Sequence, residues 1–505
     1  MARGSSGPAP IQGSYRLGMK RDYSRDQMPP NSLWNILDFL PEVVDAPLQK
    51  RGGYSYASGA TSAITSTSDH IVAGLWAPYS AGAVNLFFDE DGHAFARTRS
   101  GTADIDAGTT SLTANSTISP VFYNDTVIVP GAGGTNAPKK ITYNGSTFSI
   151  TALGGSPPAG KYAIIYKDVL WLASSSSSAD TIVFSTAGNP EAAWDTTNKV
   201  LAVSFPITGM AALANAVFVF MEQRTARIRG SVPPPDSDFI VDDPMYNVGC
   251  TDSRSIATYR DKVIWGSGEG LFISDGSAME DLTALCGQKS WWLDVMAGRE
   301  GLATGSTYDS SSWTIAGAVH RDYYVYCVMN GTTKVDAGMI DLKTYTWTRF
   351  SNFDFDFLWT RSFPTEIYGG RRNASRVAAL SNIWVPSSSN KADADGTNIV
   401  PSVELPYFVG GPSLKNFYNA YLTWFMSDAA SDAPTLQLSY LLSPEDTSYT
   451  ALDPTMAVTT DITRAHFPIN LSGYGIAFKI AQTGPSADTR VYTLELDAGG
   501  RRAMQ

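Results

Sequence analysis

The stretch Tyr259–Gly276, YRDKVIWGSGEGLFISDG, packs short apolar runs between tight polar breaks. Ser255–Tyr259 leads in, Arg260-Asp261 turns the chain and Lys262–Trp265 runs back; Gly268-Glu269-Gly270 then turns again and Leu271–Ser274 finishes. Short apolar strands joined by such turns spell a three-stranded antiparallel meander. A meander cannot bury both of its faces alone, so what stands beside it decides the fold.

The same design recurs along the chain. An apolar strand meets a short polar pair and turns straight back at Asn124-Asp125, Lys167-Asp168, Ala214-Asn215, Arg260-Asp261 and Arg321-Asp322. Successive second residues are 43, 47, 46 and 61 apart. A period of about 40–50 residues with three or four strands per unit marks the blades of a β-propeller. The long last interval fits a blade with an inserted polar loop over 304–312. Further hairpins at Asp91-Gly92, Asn144-Gly145, Asp275-Gly276 and Asn330-Gly331 supply residues that tolerate positive φ. NLFFDEDGHAFAR reads as part of an earlier blade, and FLWTRSFPTEIYGG with RVAALSNIWV as part of a later one, for six or seven in all. Asp125, Asp168, Asn215, Asp261 and Asp322 are then structural, each short side chain capping its own hairpin.

The two ends follow other patterns. Residues 1–52 show no blade pattern and read as an N-terminal extended arm. Within it NSLWNILDFLPE predicts a short helix, with Asn31 or Ser32 as N-cap and Pro41 as terminator. Trp34, Leu37, Phe39 and Leu40 are too apolar for a solvated arm, so they are expected to dock on the body of the subunit or on a neighbouring one. After the polar run at 387–398, YNAYLTWFM, TLQLSYLL, YGIAFKIAQ and RVYTLELD are longer alternating strands. Tyr474, Ile476, Phe478 and Ile480 share one predicted face, and Tyr492, Leu494 and Leu496 another, as in a β-sandwich. The expected organisation is all-β: arm 1–52, propeller 53–390 and sandwich 391–505.

Composition bounds the function. The chain has 505 residues, 43% hydrophobic and 17% charged, which is enough apolar matter for more than one core. A net charge of −11 argues against a grip on nucleic-acid phosphates, though not against DNA sliding past. Arg224, Arg227 and Arg229 form a short basic stripe, read as solvated or as a subunit or adaptor interface. Cys250, Cys286 and Cys327 are too few and too scattered for a disulfide framework or a zinc site. The first residues carry no apolar signal core and Met210–Met221 is too short for a bilayer, so a soluble protein of a reducing compartment is expected.

Catalytic patterns are weak. No pair among His70, His93, His320 and His466 has metal-ligand spacing. GSPPAGK at 155–161 has the skeleton of a phosphate loop, but Pro157 and Pro158 remove the donors a phosphate needs and a strand follows. DADGTN at 393–398 begins like a calcium loop with Glu404 at its twelfth place, yet its glycine is misplaced and Pro401 interrupts it. Propellers carry glycosidases, but the sequence places no two carboxylates together. No catalytic residue, cofactor or metal is assigned.

Three phrases resemble the tail nozzle proteins of short-tailed double-stranded DNA bacteriophages, also called packaged-DNA stabilisation or tail tubular proteins. They are LWNILDFLPEVVDAPLQKRGGY, VFSTAGNPEAAWD and YGIAFKIAQTGPSADTRVYTLELDAGGR, which together span most of the chain. The resemblance implies a structural protein of the virion tail, not an enzyme, assembled in the host cytoplasm. It implies a homo-oligomeric ring, usually of six copies, below the portal-adaptor. Such a ring meets tail fibre or spike proteins, retains the genome, and conducts double-stranded DNA through its lumen without specific binding. Two other classes stay open: a propeller enzyme acting on glycans, and a receptor-binding tail protein.

Overall fold

The apolar runs fold, in the computed structural model, into seven antiparallel sets of four strands. Six span 71–104, 121–152, 162–202, 207–246, 257–281 and 313–349; the seventh joins 357–379 to the N-terminal strand Ser55–Tyr56. The opening stretch supplies Ala257–Tyr259, Lys262–Ser267 and Gly270–Ser274, with Met279–Asp281 as the fourth strand of its set. The structure describes residues 9–12, 19–25, 27–28, 32–41, 48–51, 54–56, 71–98, 101–104, 112, 118–131, 134–197, 199–230, 238–300, 309, 312–362, 365–370, 377–380, 383, 392–393, 397–409, 415–427, 434–446, 448–457, 459, 461–484, 486 and 488–500.

The middle strands are apolar along their whole length because both faces of each set are covered. Every residue of Ala216–Met221 and of Gly270–Ser274 is buried. Neighbouring sets share cores: Leu86 with Val127, Ile128 with Leu170, Trp171 with Val219, Phe220 with Trp265, Ile264 with Ile315, and Val325 with Ile367. The seventh set packs back on the first, where Trp359 and Tyr368 meet Ile71, Phe87 and Phe95. A Cβ on Gly74 would lie 2.3 Å from the Trp359 indole, so this seam closes only over a glycine.

The C-terminal strands build two facing sheets. Lys415–Ser427 lies between Thr463–Gly473 and Asp488–Gly500 in one; Gly475–Thr483 lies between Thr435–Leu441 and Ser402–Glu404 in the other. Leu422, Trp424 and Leu494 from the first share a core with Leu438, Phe478 and Ile480 from the second. The predicted faces need two corrections. Tyr474 is 61% exposed and precedes its strand. The pairing of Asp488–Gly500 with Lys415–Ser427 shifts between Thr493 and Val491, leaving Tyr492 as the extra residue of a bulge. Val491 therefore joins Leu494 in the core, and Tyr492 does not.

The N-terminal segment differs most from the expectation. The helix over 31–42 does not form: Asn35–Leu37 and Phe39–Pro41 are strands, with Asp38 at φ 59° between them. Asn35–Leu37 lies between Thr346–Arg349 of the sixth set and Ser402–Glu404, making one continuous ten-stranded sheet of both bodies. Phe39–Pro41 and Leu48–Lys50 join the edge of the other C-terminal sheet. Open strand edges on two sides offer this segment more hydrogen bonds and burial than an isolated helix of that length holds.

Two short helices follow the fifth set, α1 (Leu282–Leu285) and α2 (Lys289–Met296). The Asp22 carboxylate accepts from the Lys289 and Ser290 amides at 3.0 and 2.7 Å, so the N-terminal segment caps α2 as well. Among the described residues no helix is long and apolar enough to cross a membrane.

Candidate functional site

The turn residues sit at one end of the sets, and their roles differ from the expectation. Asn124-Asp125 and Lys167-Asp168 have both residues at positive φ, whereas only Arg260 and Arg321 do in their turns. The Ala214-Asn215 turn has neither residue at positive φ and closes through the Leu213 amide on the Ala216 carbonyl. It is not a turn of the same design.

The aspartates tie neighbouring sets together. Asp125 accepts from the amide and hydroxyl of Ser80, one set back, both at 2.6 Å. Tyr123 donates to Asp168 Oδ1 at 2.7 Å and to its carbonyl at 2.9 Å. Tyr259 donates to Asp322 at 2.8 Å, with Lys343 and Arg260 beside the same carboxylate. Asp261 is exposed at the mouth of a groove between the fourth and fifth sets. Its lining includes Asn215, Arg227, Arg229 and Arg260.

The basic stripe is only partly outward. Arg227 and Arg229 both pair with Asp242, at 2.8 and 2.9 Å, and Arg227 also donates to the Gly276 carbonyl of the next set. Arg224 lies over the Phe205 ring at 4.9 Å, and Phe205 is 48% exposed. The expected arm contacts turn inward. Phe39 is fully buried and Leu40 nearly so in the chain's own cores, which removes both as contacts to another subunit. Trp34 and Leu37 are half-buried, and the guanidinium groups of Arg21 and Arg25 lie over the Trp34 ring at 4.4 and 4.8 Å.

Arg51, fully buried, holds the joint between the two bodies. It meets Asp38 at 2.6 Å, Asp393 at 2.9 Å through both terminal nitrogens, and the Ser351 carbonyl at 3.0 Å. The two carboxylates hold its proton above the ordinary arginine range against the opposing pull of burial. Next to it Lys50 donates to the Ser486 carbonyl at 2.5 Å; burial, then the Arg51 charge, push its pKa down to about 8. The two acidic residues that bound the 393–404 stretch are engaged elsewhere. Asp393 faces Arg51, while Glu404 pairs with Arg25 and Lys479 at 3.2 and 3.4 Å.

A cleft of about 710 Å³ opens where the seventh set meets the first and second. Trp76, Asn85 and Arg97 come from the first set, Tyr143 from the second, and Arg361, Glu366 and Tyr368 from the seventh. The Arg361 guanidinium lies 4.1 Å from the Trp76 ring and 3.4 Å from Glu366 Oε2, which also accepts from the Tyr368 hydroxyl at 2.5 Å. Tyr368 stacks on Trp359, and the Trp359 indole donates to Asn85 Oδ1 at 3.1 Å. Burial, then the Glu366 carboxylate, push the Tyr368 hydroxyl up to about 12. None of these residues stands out in the sequence, because the seam unites positions almost 300 residues apart.

No family model matches the chain, and no curated protein does. Among solved structures it is similar to the extracellular domain of a proposed one component system from B. thetaiotaomicron, at 12% identity and a TM-score of 0.43. The match covers 93% of this chain and 62% of the other, so this chain spans less than two thirds of that structure's length.

Proposed function

We propose that the seven sets are the blades of a β-propeller closed by Ser55–Tyr56, and that the chain is a structural wall subunit of a short phage tail, the nozzle below the portal-adaptor. The observation that carries this reading is the N-terminal segment. It runs through both bodies and joins them in one ten-stranded sheet around a buried arginine. A wall that holds back packaged DNA must bear load as one piece, and shared hydrogen-bonded strands transmit force better than a flexible linker. The acidic balance suits a wall that guides phosphates without holding them. A propeller glycosidase draws less support, since among the described residues the cleft lining supplies one carboxylate, Glu366, where hydrolysis takes two.

Subunit contacts in such a ring fall to side chains that remain outside. Phe205 under Arg224 and Ile240, which is 59% exposed, belong to the region of the fourth set; Ile462 and Tyr474 are exposed among the C-terminal strands. The test is the native mass of the full chain by light scattering, alone and with a portal-adaptor complex. A ring of about six copies, weakened by Ile240→Asp or Tyr474→Asp, is the expected result. A monomer under both conditions overturns the nozzle reading and favours a receptor-binding role.

A further inference from the structure

We propose that Asn144-Gly145, at a hairpin tip of the second set, is a self-modifying site where the folded chain converts the asparagine to aspartate and isoaspartate. The inference is independent of the nozzle reading. The sequence holds two Asn-Gly pairs, Asn144-Gly145 and Asn330-Gly331, each at a hairpin turn with its glycine at positive φ. Glycine has no Cβ, so its amide nitrogen is the least shielded nucleophile that can follow an asparagine. The local sequence makes the two pairs alike, and the fold separates them. At Asn330-Gly331 the reacting groups are engaged. Asn330 is 4% exposed; its amide nitrogen donates to the Asp309 carbonyl at 2.6 Å and its amide oxygen accepts from the Asp309 N–H at 3.1 Å. The Gly331 N–H, the attacking group, donates to the Ser312 carbonyl at 2.9 Å.

At Asn144-Gly145 the nucleophile and the leaving group are open to water. Asn144, Gly145, Ser146 and Thr147 are all exposed. Among the described residues neither the Gly145 N–H nor Asn144 Nδ2 has an acceptor. Asn144 Oδ1 alone is held: it accepts from the Ser146 N–H and hydroxyl, both at 3.0 Å, and from the Thr147 N–H at 2.8 Å. Donors on a carbonyl oxygen polarise the carbon and stabilise the oxyanion that forms when it is attacked. The step balances with water as the co-reactant. Water or hydroxide takes the Gly145 amide proton, and the nitrogen attacks Asn144 Cγ. The N–Cγ bond forms, the Cγ–Nδ2 bond breaks, and Nδ2 leaves as ammonia, taking a proton back from water. The cyclic imide then adds one water. Opening at Cγ leaves an aspartate side chain on the normal backbone; opening at the main-chain carbonyl routes the backbone through Cβ and Cγ, lengthening it. Both products add a negative charge at the tip. The longer backbone also shifts the Gly145 carbonyl, which accepts from the Tyr143 hydroxyl at 2.8 Å.

The test ages the folded full chain in mildly alkaline buffer and follows both asparagines by peptide mapping with mass spectrometry, with isoaspartate counted by enzymatic methylation. Conversion at Asn144 is expected to run at least about tenfold faster than at Asn330. The same chain unfolded in guanidinium chloride should convert both at comparable rates, because both pairs are then open to water. Asn144→Gln, whose longer side chain closes a less favourable ring, should keep the wild-type melting profile and leave the tip peptide unmodified. Equal rates at the two asparagines of the folded chain, or a tip that stays intact while the unfolded chain converts, would overturn the proposal. A preference for Asn144 that is as large in the unfolded chain would also overturn it, since the local sequence and not the fold would then set the rate. Neither the expected result nor its failure depends on whether the chain forms a ring.

Discussion

Arg51 shows what one side chain does when it is buried between two carboxylates. Removing its charge strands the buried carboxylates of Asp38 and Asp393 without a counter-charge, and breaking such a buried pair costs about 3–5 kcal/mol. Arg51→Met should therefore lower the unfolding free energy obtained by urea titration by that measure, with the midpoint falling accordingly. The triple variant Arg51→Met, Asp38→Asn, Asp393→Asn should regain much of the loss, because no uncompensated charge is left. If the triple variant is no more stable than the single one, packing and not charge governs the site. In the sequence Arg51 is legible as a basic residue that closes the arm. Its two partners, 13 and 342 positions away, are not, since nothing local distinguishes a buried aspartate from a solvated one.

Among the elements, the meanders are the most legible part, because period, turn chemistry and burial agree. Gly92, Gly145, Gly276 and Gly331 all take the positive φ that their hairpins need. What the turn aspartates hold is less legible. A capped hairpin and a tie to the next set use the same residue type, and only the packing of one set on another selects the tie. Tyr123→Phe removes two hydrogen bonds to Asp168 and leaves the Lys167-Asp168 turn intact. It should cost about 1 kcal/mol, read as a lower melting temperature. No loss would mean that Asp168 serves its own hairpin alone. The bulge at Tyr492 has the same lesson: one extra residue moved Val491 inward, and period-two counting cannot register it.

At the scale of the molecule, the N-terminal segment is a structural strand system and not a detachable arm. Deleting residues 1–56 would remove the middle of the ten-stranded sheet, the closing strand of the seventh set, the Asp22 cap and Arg51 together. We expect that truncation to abolish the cooperative thermal transition of the full chain. A truncated chain that melts cooperatively within a few degrees of the full one would restore the independent arm.

The sequence by itself determined the all-β class, the repeat with four of its five turns, and the alternating C-terminal strands. These follow from short-range chemistry: strand period, turn residues and apolar runs. Only the tertiary structure decided the fate of 31–42, the burial of Phe39 and Arg51, the ties made by Asp125, Asp168 and Asp322, and the cleft that unites Trp76 and Asn85 with Glu366. Each depends on which surfaces and strand edges stand opposite one another in the folded chain. That is a matter of long-range pairing, and residues hundreds of positions apart carry no local trace of it.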